Sequence, residues 1–586
     1  MTKTPTRPGP GPAPRPAPAG KPAKSARERP QETWRDFVEQ IVVAVLLAIL
    51  IRGFNAEAFV IPTGSMAPTL KGRHKEVTCP QCRDVFTINA SEETEAYLNS
   101  TPGARAAEAA VCGNCRFASA TGDEPSFKGD RILVMKFPYE LPFLPGSGGP
   151  QRWDVVVFHY PEKPEQNYIK RLVGLPGEEL RIYRGNLFVR PNGSDEAFQV
   201  ARKPLSRLKA MAMLVNDDRH RATLLKDRPE WLRWKGDGFE EEVGKEGVFT
   251  SKGDRKVPTV LTYRHVVPDP EQWNEIAARR PLSRPARASL ITDFYSYNGS
   301  TTAMPYDPLA AWRQSDWVGD LLLDFDLRVD KAEGTARVEL VEAGVRNRCE
   351  LDLATGKATL YHGEAKLGEA PTRVAGPGRY AITFANVDDR LTLTVDGRAP
   401  FGDGLAYDDG PDAPALPTSA DLEPARIVAD GAPVAVSGLV LRRDIYYTQD
   451  PRYPDCQIHP PPAPFEAAAS RGLAEVVHMF DVLSDPAKFA PLMAGSQPGQ
   501  SYPIRPGHYM MMGDNSPRSS DGRAWGRLDR DWDDERARWE VPRSLLIGRA
   551  FFVYWPHGIP LWPKIELFPG IRIPFRPYFE RMLPIR

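Results

Sequence analysis

The sequence has no excess of charge of either sign, few cysteines and no second long apolar run. Its 586 residues contain 76 Lys and Arg against 76 Asp and Glu, so the formal net charge is +0. A balanced chain has no field to hold a polyanion, so we expect no nucleic acid partner. Six cysteines in so long a chain exclude a disulfide scaffold. A mean hydropathy of -0.42 excludes a membrane protein with many spans.

Proline and glycine, by contrast, are abundant. The chain has 59 prolines and 47 glycines, and proline is about twice as frequent as in an average protein. This composition favours strands, turns and loops, and it predicts a mainly β protein. Because a single hydrophobic core stops growing near about 300 residues, a chain of this length should form two or three domains.

One apolar segment stands out near the N-terminus. Residues 1–33 are basic and rich in proline and predict a disordered cytoplasmic tail, whereas 34–54 contain an unbroken apolar run at 41–51. A helix over 37–54 would be about 27 Å long, close to the hydrocarbon thickness of a bilayer. We expect a single-pass anchor in the cytoplasmic membrane, with the rest of the chain outside the cytoplasm. A buried core helix and a signal peptide cleaved after Ala58 are alternatives.

A serine and a lysine carry the first chemical signal. Ser65 lies in a Gly-Ser turn between prolines, which can expose its hydroxyl. A serine near its free pKa is a poor nucleophile and needs a base. Lys170 lies among Tyr168, Ile169 and Leu172, and burial among such residues disfavours the ammonium form and lowers the lysine pKa. On a strand, Tyr168, Lys170 and Leu172 would share one face.

Eight short motifs follow one another along the chain. They are IRGF at 51–54, IPTGSMAPTL at 61–70, GDRILVMKF at 129–137, RWDVVVF at 152–158, YIKRLVGLPG at 168–177, MMGDNS at 511–516, SSDGRAWG at 519–526 and GRAFFVYW at 548–555. In this order they resemble the bacterial type I signal peptidases, the membrane-anchored Ser-Lys proteases that remove signal peptides from exported preproteins. The resemblance implies an antiparallel β catalytic core, a serine endopeptidase and no catalytic cofactor.

The resemblance also implies a role for each matching position. Ser65 would attack the scissile carbonyl and Lys170 would accept its proton. Thr63 and the Ser65 backbone N–H would stabilise the oxyanion, and Ser519 would orient the lysine amine. Four positions would brace the site: Gly513, Asp514, Asp521 and Arg523. The family's shallow apolar pockets suit the small residues before a signal-peptide cut, and here they would be lined by Phe59, Ile61 and Ile169.

Two Cys-x-x-Cys pairs lie between the serine and the lysine. They consist of Cys79, Cys82, Cys112 and Cys115, with residues 83–111 between the pairs. Four thiolates at this spacing predict a tetrahedral structural zinc site of the ribbon type, and the metal would fold a segment with little core of its own. Four thiolates close the coordination sphere, so we expect no catalytic metal. Outside the cytoplasm, two disulfides are the alternative.

A long insertion separates the lysine from the last motifs. Within it, residues 323–329, 380–384 and 391–395 alternate apolar with polar and predict antiparallel strands. They resemble a laminin-G or concanavalin-like β-sandwich, at about 285–447, whose ligand would be a glycan or a protein. The predicted order is core at 55–78, cysteine segment at 79–120, core at 121–190, insertion at 191–500, core at 501–560 and a C-terminal extension at 561–586.

Two functions follow from these patterns. The first is a membrane-anchored endopeptidase that removes N-terminal signal peptides with Ser65 and Lys170. The alternative is a membrane-anchored binding or scaffold protein, whose sandwich holds a glycan or an envelope polymer on a degenerate protease core. The intact serine, lysine, Thr63 and Ser519 favour the peptidase.

Overall fold

A computed structural model describes residue 11 and residues 34–50, 56–93, 107–122, 124–136, 139, 149–300, 315–408, 416–451, 455–456, 478–494, 499–525, 539–560 and 575–586. The expected disordered tail at 1–33, apart from residue 11, lies outside the described residues. So do the end of the expected anchor at 51–54 and most of the C-terminal extension, at 561–574.

Helices are few in the described part of the chain. They are α1 (Trp34–Leu50), α2 (Leu205–Met211), α3 (Pro270–Ala277) and α4 (Pro486–Ala494), and residues 478–483 are also helical. Residues 1–54 form one compact unit, which contains α1, and residues 55–586 form a second. Within the described ranges, every helix falls short of the length and apolarity needed to cross a bilayer. The expected anchor at 34–54 is therefore not confirmed.

Seven antiparallel strands form the central sheet of the second unit. Numbered in chain order and given in spatial order, they are β1 (Ala56–Val60), β7 (Arg131–Met135), β31 (Leu546–Trp555), β8 (Val155–Tyr160), β9 (Lys163–Gly174), β29 (His508–Met512) and β30 (Glu540–Pro542). On β8, Val155 and Val157 pack into one apolar cluster, whereas Val156 and Phe158 pack into another. Alternation along a strand places these pairs on opposite faces, so both faces of the sheet are covered.

A four-stranded sheet marks where the insertion leaves and returns. Its strands, in spatial order, are β12 (Gln199–Val200), β11 (Asn186–Pro191), β10 (Glu178–Tyr183) and β28 (Ser501–Pro503). The strand β10 pairs with both β11 and β28. Because β11 precedes the insertion and β28 follows it, the two ends of the insertion meet on one sheet.

The insertion contains two further antiparallel sheets. The first holds β15 (Glu240–Glu241), β16 (Phe249–Ser251), β27 (Val434–Arg443), β18 (Leu321–Val329), β23 (Gly378–Asn386), β24 (Arg390–Val395) and β25 (Leu405–Ala406), with β13 (Met213–Asp217) paired to β27. The second holds β14 (Trp234–Asp237), β17 (Thr259–Tyr263), β26 (Ala425–Asp430), β19 (Thr335–Glu342), β20 (Val345–Asp352), β21 (Lys357–His362) and β22 (Ala365–Pro371). Phe325 and Phe384 from the first sheet share one buried cluster with Leu340 and Ile427 from the second. The insertion is thus a sandwich of two sheets.

The sandwich starts earlier than the sequence analysis placed it. The three strands predicted from alternation are present as β18, β23 and β24, but β13 at Met213–Asp217 already pairs with β27. The strands before residue 285 are only two to five residues long. Strands this short show no clear alternation of apolar and polar residues. The sequence pattern therefore indicated a start of the sandwich near residue 285.

Three small sheets complete the second unit. They are β3 (Val85–Asn89) with β2 (His74–Thr78) and β6 (Ser126–Phe127), β4 (Ala109–Val111) with β5 (Ala118–Ala120), and β32 (Gly558–Pro560) with β33 (Phe575–Pro577). The predicted core segment 55–78 is therefore divided, because β1 joins the central sheet whereas β2 pairs with β3 and β6 beside the cysteines.

Candidate active site

Ser65 lies in a short 3₁₀ turn, Gly64–Met66, shortly after the edge strand β1. Its side chain is 8% exposed, whereas Thr63 before the turn has an extended backbone and an exposed side chain. A methyl group added to Gly64 would lie 2.3 Å from a ring carbon of Tyr297. The turn therefore needs glycine here, because Tyr297 packs directly against it.

Lys170 extends from β9 to the serine. Its Nζ donates a hydrogen bond of 2.7 Å to Ser65 Oγ and another of 3.1 Å to the Ile169 carbonyl. The lysine is 4% exposed. Burial lowers the pKa of Lys170 to about 8, although Asp521 and Asp514 oppose this shift. Burial therefore favours the neutral form of an amine that lies within hydrogen-bond distance of the serine hydroxyl.

A glycine permits the close approach behind this pair. A methyl group added to Gly513 would lie 2.2 Å from Ser519 Oγ and 2.4 Å from the Ser65 carbonyl oxygen. Only glycine, which has no Cβ, allows the backbone to approach this closely. The Gly513 N–H also donates a 3.0 Å hydrogen bond to Asp521 Oδ2.

Two buried ion pairs brace the site. Asp521 and Arg523 are both 0% exposed and share two hydrogen bonds, of 2.9 and 2.7 Å. Burial opposes ionisation of Asp521, but the Arg523 guanidinium holds the pKa of the carboxyl below its usual value. Asp514 accepts two hydrogen bonds of 2.6 Å from Arg171, again with both side chains 0% exposed. Removing one member of such a pair leaves an uncompensated charge in the interior.

Ser519 does not make the hydrogen bond that the resemblance implies. Lys170 Nζ bonds Ser65 Oγ and the Ile169 carbonyl, and Ser519 is not among its partners. The Ser519 hydroxyl is buried, and its oxygen has no hydrogen-bond partner within the described residues. Ser519 thus lies beside Gly513, and its hydroxyl is close enough to Asp521 to help lower the pKa of that carboxyl.

The three residues expected to line the substrate pockets meet in one apolar cluster. Ile61 is buried, whereas Phe59 and Ile169 are partly buried and pack against the same set of side chains. Ile61 and Phe59 lead into the serine turn, and Ile169 precedes the lysine. The cluster therefore places half-exposed apolar surface next to the Ser65 and Lys170 pair.

Sequence reasoning missed an asparagine pair that supports the serine turn. The Asn515 N–H donates to the Ser65 carbonyl at 3.0 Å, and its Nδ2 donates to the Gly64 carbonyl at 3.1 Å. The Asn515 and Asn298 side-chain amides exchange two further hydrogen bonds, of 2.7 and 2.8 Å. Asn515 belongs to the MMGDNS motif, which could have drawn attention to it. Asn298 comes from the insertion, where no sequence pattern marks it.

The four cysteines lie together at one end of β2. Their sulfurs are all within 4.8 Å of one another, with Cys79 and Cys115 3.5 Å apart and Cys82 and Cys112 3.6 Å apart. All four are buried and unbridged. The two loops repeat one geometry, because Arg83 and Arg116, each directly after the second cysteine of a pair, have φ values of 62 and 64 degrees. Zn–S bonds of about 2.3 Å in a tetrahedron need sulfurs slightly under 4 Å apart, so the arrangement fits zinc.

A family model described as "Signal peptidase, peptidase S26" matches residues 106–236 and 473–555. These ranges include Lys170, Gly513 and Ser519 but not Ser65. The match covers less than half of the chain, and it supports the resemblance that the eight motifs indicated.

Curated proteins that are similar to parts of this chain are named as signal peptidases. The chain is 27% identical over 184 residues to "Probable signal peptidase I-2" of Synechocystis sp., a match that covers 30% of this chain and 56% of that protein. A segment of 59 residues is 56% identical to "Signal peptidase I" of Pseudomonas aeruginosa, covering 9% and 21% respectively. The chain thus spans about half the length of the first relative and a fifth of the second.

Among solved structures, a carbohydrate-binding module, CBM66 from Bacillus subtilis, aligns with 36% of this chain and 96% of its own at 8% identity. The TM-score is 0.21, too low to say anything about the sandwich or its ligand.

Proposed function

We propose that the chain is a serine endopeptidase that removes N-terminal signal peptides from exported preproteins. The observation that carries the proposal is the buried 2.7 Å hydrogen bond between Lys170 Nζ and Ser65 Oγ. Burial lowers the pKa of this lysine to about 8. A nucleophile within hydrogen-bond reach of a base with such a pKa is the arrangement that acyl transfer requires.

The proposed reaction proceeds through an acyl-enzyme. Neutral Lys170 accepts the proton as Ser65 Oγ attacks the scissile carbonyl, and the resulting ammonium gives that proton to the leaving amine of the mature protein. Water then attacks the ester, Lys170 takes a proton from the water, and Ser65 recovers its own as the signal peptide leaves. The Ser65 N–H and the exposed Thr63 hydroxyl are the proposed oxyanion donors. Ser519, which is buried beside Gly513, is proposed to orient the amine during the reaction, as the resemblance implies.

The apolar cluster beside the dyad supports selectivity for small residues. Phe59 and Ile169 present half-buried apolar surface, and the buried Ile61 packs in the same cluster. A shallow apolar surface accepts alanine and excludes larger side chains by steric clash. This preference fits an Ala-x-Ala sequence before the cut.

The test is cleavage of a purified preprotein with Ala-x-Ala before its mature start, followed by N-terminal sequencing of the product. We expect a single cut after the second alanine, and strongly reduced cutting when both alanines become leucine. Ser65→Ala should abolish cutting. Ser194→Ala changes a serine in a turn that is distant from Ser65 in the sequence, and it should leave cutting unchanged. Equal cutting of the alanine and leucine substrates would contradict the pocket assignment.

A structural zinc at the four cysteines is part of the proposal. The donor set is Cys79, Cys82, Cys112 and Cys115, and the sulfur separations fit tetrahedral coordination. Zinc would hold the two cysteine loops together and would take no part in peptide hydrolysis. The Co²⁺-loaded protein should show thiolate charge-transfer absorption that Cys79→Ser reduces and Cys349→Ser, at a buried cysteine outside the cluster, leaves unchanged. Detection of two disulfides by mass spectrometry would support the alternative instead.

Attachment to a membrane through the N-terminal helix is also proposed. The side chains of Trp34, Phe37, Ile41 and Leu46 on α1 are 78, 51, 47 and 55% exposed. An apolar helix with exposed side chains is stabilised by lipid. The chain should stay in the membrane pellet after alkaline carbonate extraction, and a chain without residues 1–54 should not. Release of both would contradict the anchor.

The binding or scaffold function has one observation in its favour. A cavity of 360 Å³ lies between the four-stranded sheet and the sandwich, lined by aromatic and acidic side chains that include Tyr183, Trp317, Asp320, Glu342 and Tyr407. Aromatic faces with a few convergent polar groups suit a small polar ligand such as a sugar. This function would replace the peptidase if purified protein bound glycans but cut no preprotein.

A further inference from the structure

Two histidines and a glutamate form a cluster that includes neither the Ser65 and Lys170 pair nor the cysteines. His74 and Glu76 are alternate residues of β2, so they lie on the same face of that strand. His557, just after β31, lies against them, with its ring centre 5.1 Å from that of His74. One potential ligand atom from each of the three residues lies within 4.8 Å of the others.

Several ring nitrogens of these two histidines are buried and make no hydrogen bond within the described chain. His74 Nδ1 is 2.7 Å from the Gly72 carbonyl, which can only accept, so the proton sits on Nδ1 and the lone pair on Nε2. Within the described chain, His74 Nε2 and both ring nitrogens of His557 have no hydrogen-bond partner. His557 Nε2 is 3.6 Å from Glu76 Oε2, too far for a hydrogen bond.

Burial makes these unpartnered atoms costly. His74 is 0% exposed and His557 is 5% exposed. A buried polar atom without a partner costs about 1–3 kcal/mol, and three of them in one place need compensation. A hydrogen bond from the second ring nitrogen to a backbone carbonyl, as His74 makes, is also the usual way in which proteins orient a metal-binding histidine.

The surroundings fix the rings and balance most of the nearby charge. Phe127 stacks on the His557 ring at 4.5 Å, and Tyr578 packs against its edge at 5.4 Å. Arg581, a nearby cation, is paired with Asp130 at 2.8 Å. Lys71 is a second basic side chain whose field reaches His74. Burial lowers the pKa of Lys71 to about 7, so near neutral pH only its remaining partial charge opposes the binding of another positive ion. We therefore expect moderate affinity.

We propose that His74, Glu76 and His557 bind a divalent transition-metal ion, with zinc as the expected occupant. Two imidazoles and one carboxylate are donors that Zn²⁺ accepts at about 2.0–2.2 Å, and three protein ligands leave a position for water. Small side-chain rotations would bring the ligand atoms from their present separations to those of a tetrahedral site. The ion would join β2, which leads to the cysteine segment, to the end of β31 in the central sheet.

The experiment measures zinc per chain in the purified full-length protein after loading with Zn²⁺ and removal of free metal. Glu76→Gln and His557→Ala should each contain one zinc fewer than the wild type, whatever the occupancy of the cysteines. His508→Ala, at a half-buried histidine at the start of β29, should match the wild type. Glu76→Gln changes one oxygen to nitrogen, so it tests the site even if His557→Ala does not fold.

A second readout distinguishes this site from the cysteine cluster. The difference in Co²⁺ absorption between wild type and Glu76→Gln should contain weak visible bands without intense thiolate charge transfer. Unchanged zinc content in both variants would overturn the proposal. A thiolate band in the difference spectrum would also overturn it, because the lost metal would then belong to the cysteines.

Discussion

If Lys170 is the general base of the proposed peptidase, cleavage should depend steeply on pH. The pKa of the amine is lowered to about 8, chiefly by burial. Below that pH the lysine carries a proton and cannot accept the one from Ser65, so the rate should follow the neutral fraction. This fraction is about 1% at pH 6 and about 90% at pH 9, a rise of about 90-fold in kcat/KM with a midpoint near pH 8.

Removing the charge of Asp521 tests the same pH profile in a second way, through the direction in which its midpoint moves. This carboxylate raises the pKa of Lys170, so Asp521→Asn should move the rising limb to lower pH by about one unit. Initial rates on the Ala-x-Ala preprotein from pH 5.5 to 10.5 give the profile, and Asp396→Asn in an exposed turn is the matched control. A flat profile, a midpoint near the ordinary lysine value of about 10.5, or an alkaline shift in Asp521→Asn would refute the reasoning.

Three further predictions concern stability and positioning. Lys170→Met should raise the free energy of unfolding by about 3 kcal/mol at pH 7 and by little above pH 10.5, because the folded-state pKa of the lysine lies below the unfolded one. Chemical denaturation at both pH values measures this difference, and no gain at pH 7 would contradict the burial penalty. Asp514→Asn should lower the free energy of unfolding by about 3–5 kcal/mol, because Arg171 is then left buried without a counter-ion. A loss below about 1 kcal/mol would contradict a stabilising ion pair. Asn298→Ala should lower kcat about tenfold with KM unchanged, because it removes the bracing of Asn515 behind the serine turn; a change in KM alone would contradict positioning.

Local motifs pointed to Ser65 and Lys170, whose side chains are hydrogen-bonded in the structure, because each residue is marked by a short segment of sequence. The strand pattern around Lys170 placed Tyr168 and Leu172 together, and both pack in one cluster, whereas Ile169 packs in another. The turn around Ser65 was evident from its glycine and prolines. In each case the relevant neighbours lie within a few residues in the sequence.

Long-range partners could not be predicted in this way. Arg171 follows the lysine directly, but its partner Asp514 is 343 residues away. Asn298 and Asn515 are 217 residues apart and meet only because the insertion folds back onto the serine turn. The same limit explains Ser519, whose predicted contact with the lysine amine depends on side-chain orientation that no motif specifies.

The sandwich shows how far alternation can be read. Its long strands, such as β18 at Leu321–Val329 and β23 at Gly378–Asn386, have a clear period of two and were predicted. Shorter strands such as β14 at Trp234–Asp237 join the same sandwich through pairing with distant strands. Their place is set by tertiary contacts, which the sequence pattern does not contain.

The measurement that tests the central claim most directly is kcat/KM for preprotein cleavage by wild type, Ser65→Ala, Lys170→Ala and Lys163→Ala. Lys163 lies at the exposed start of the same strand as Lys170 and is the matched control. The account predicts cutting by wild type and Lys163→Ala, and a loss of at least about 1000-fold in the other two variants. Cutting by Ser65→Ala or Lys170→Ala at the wild-type rate would contradict it.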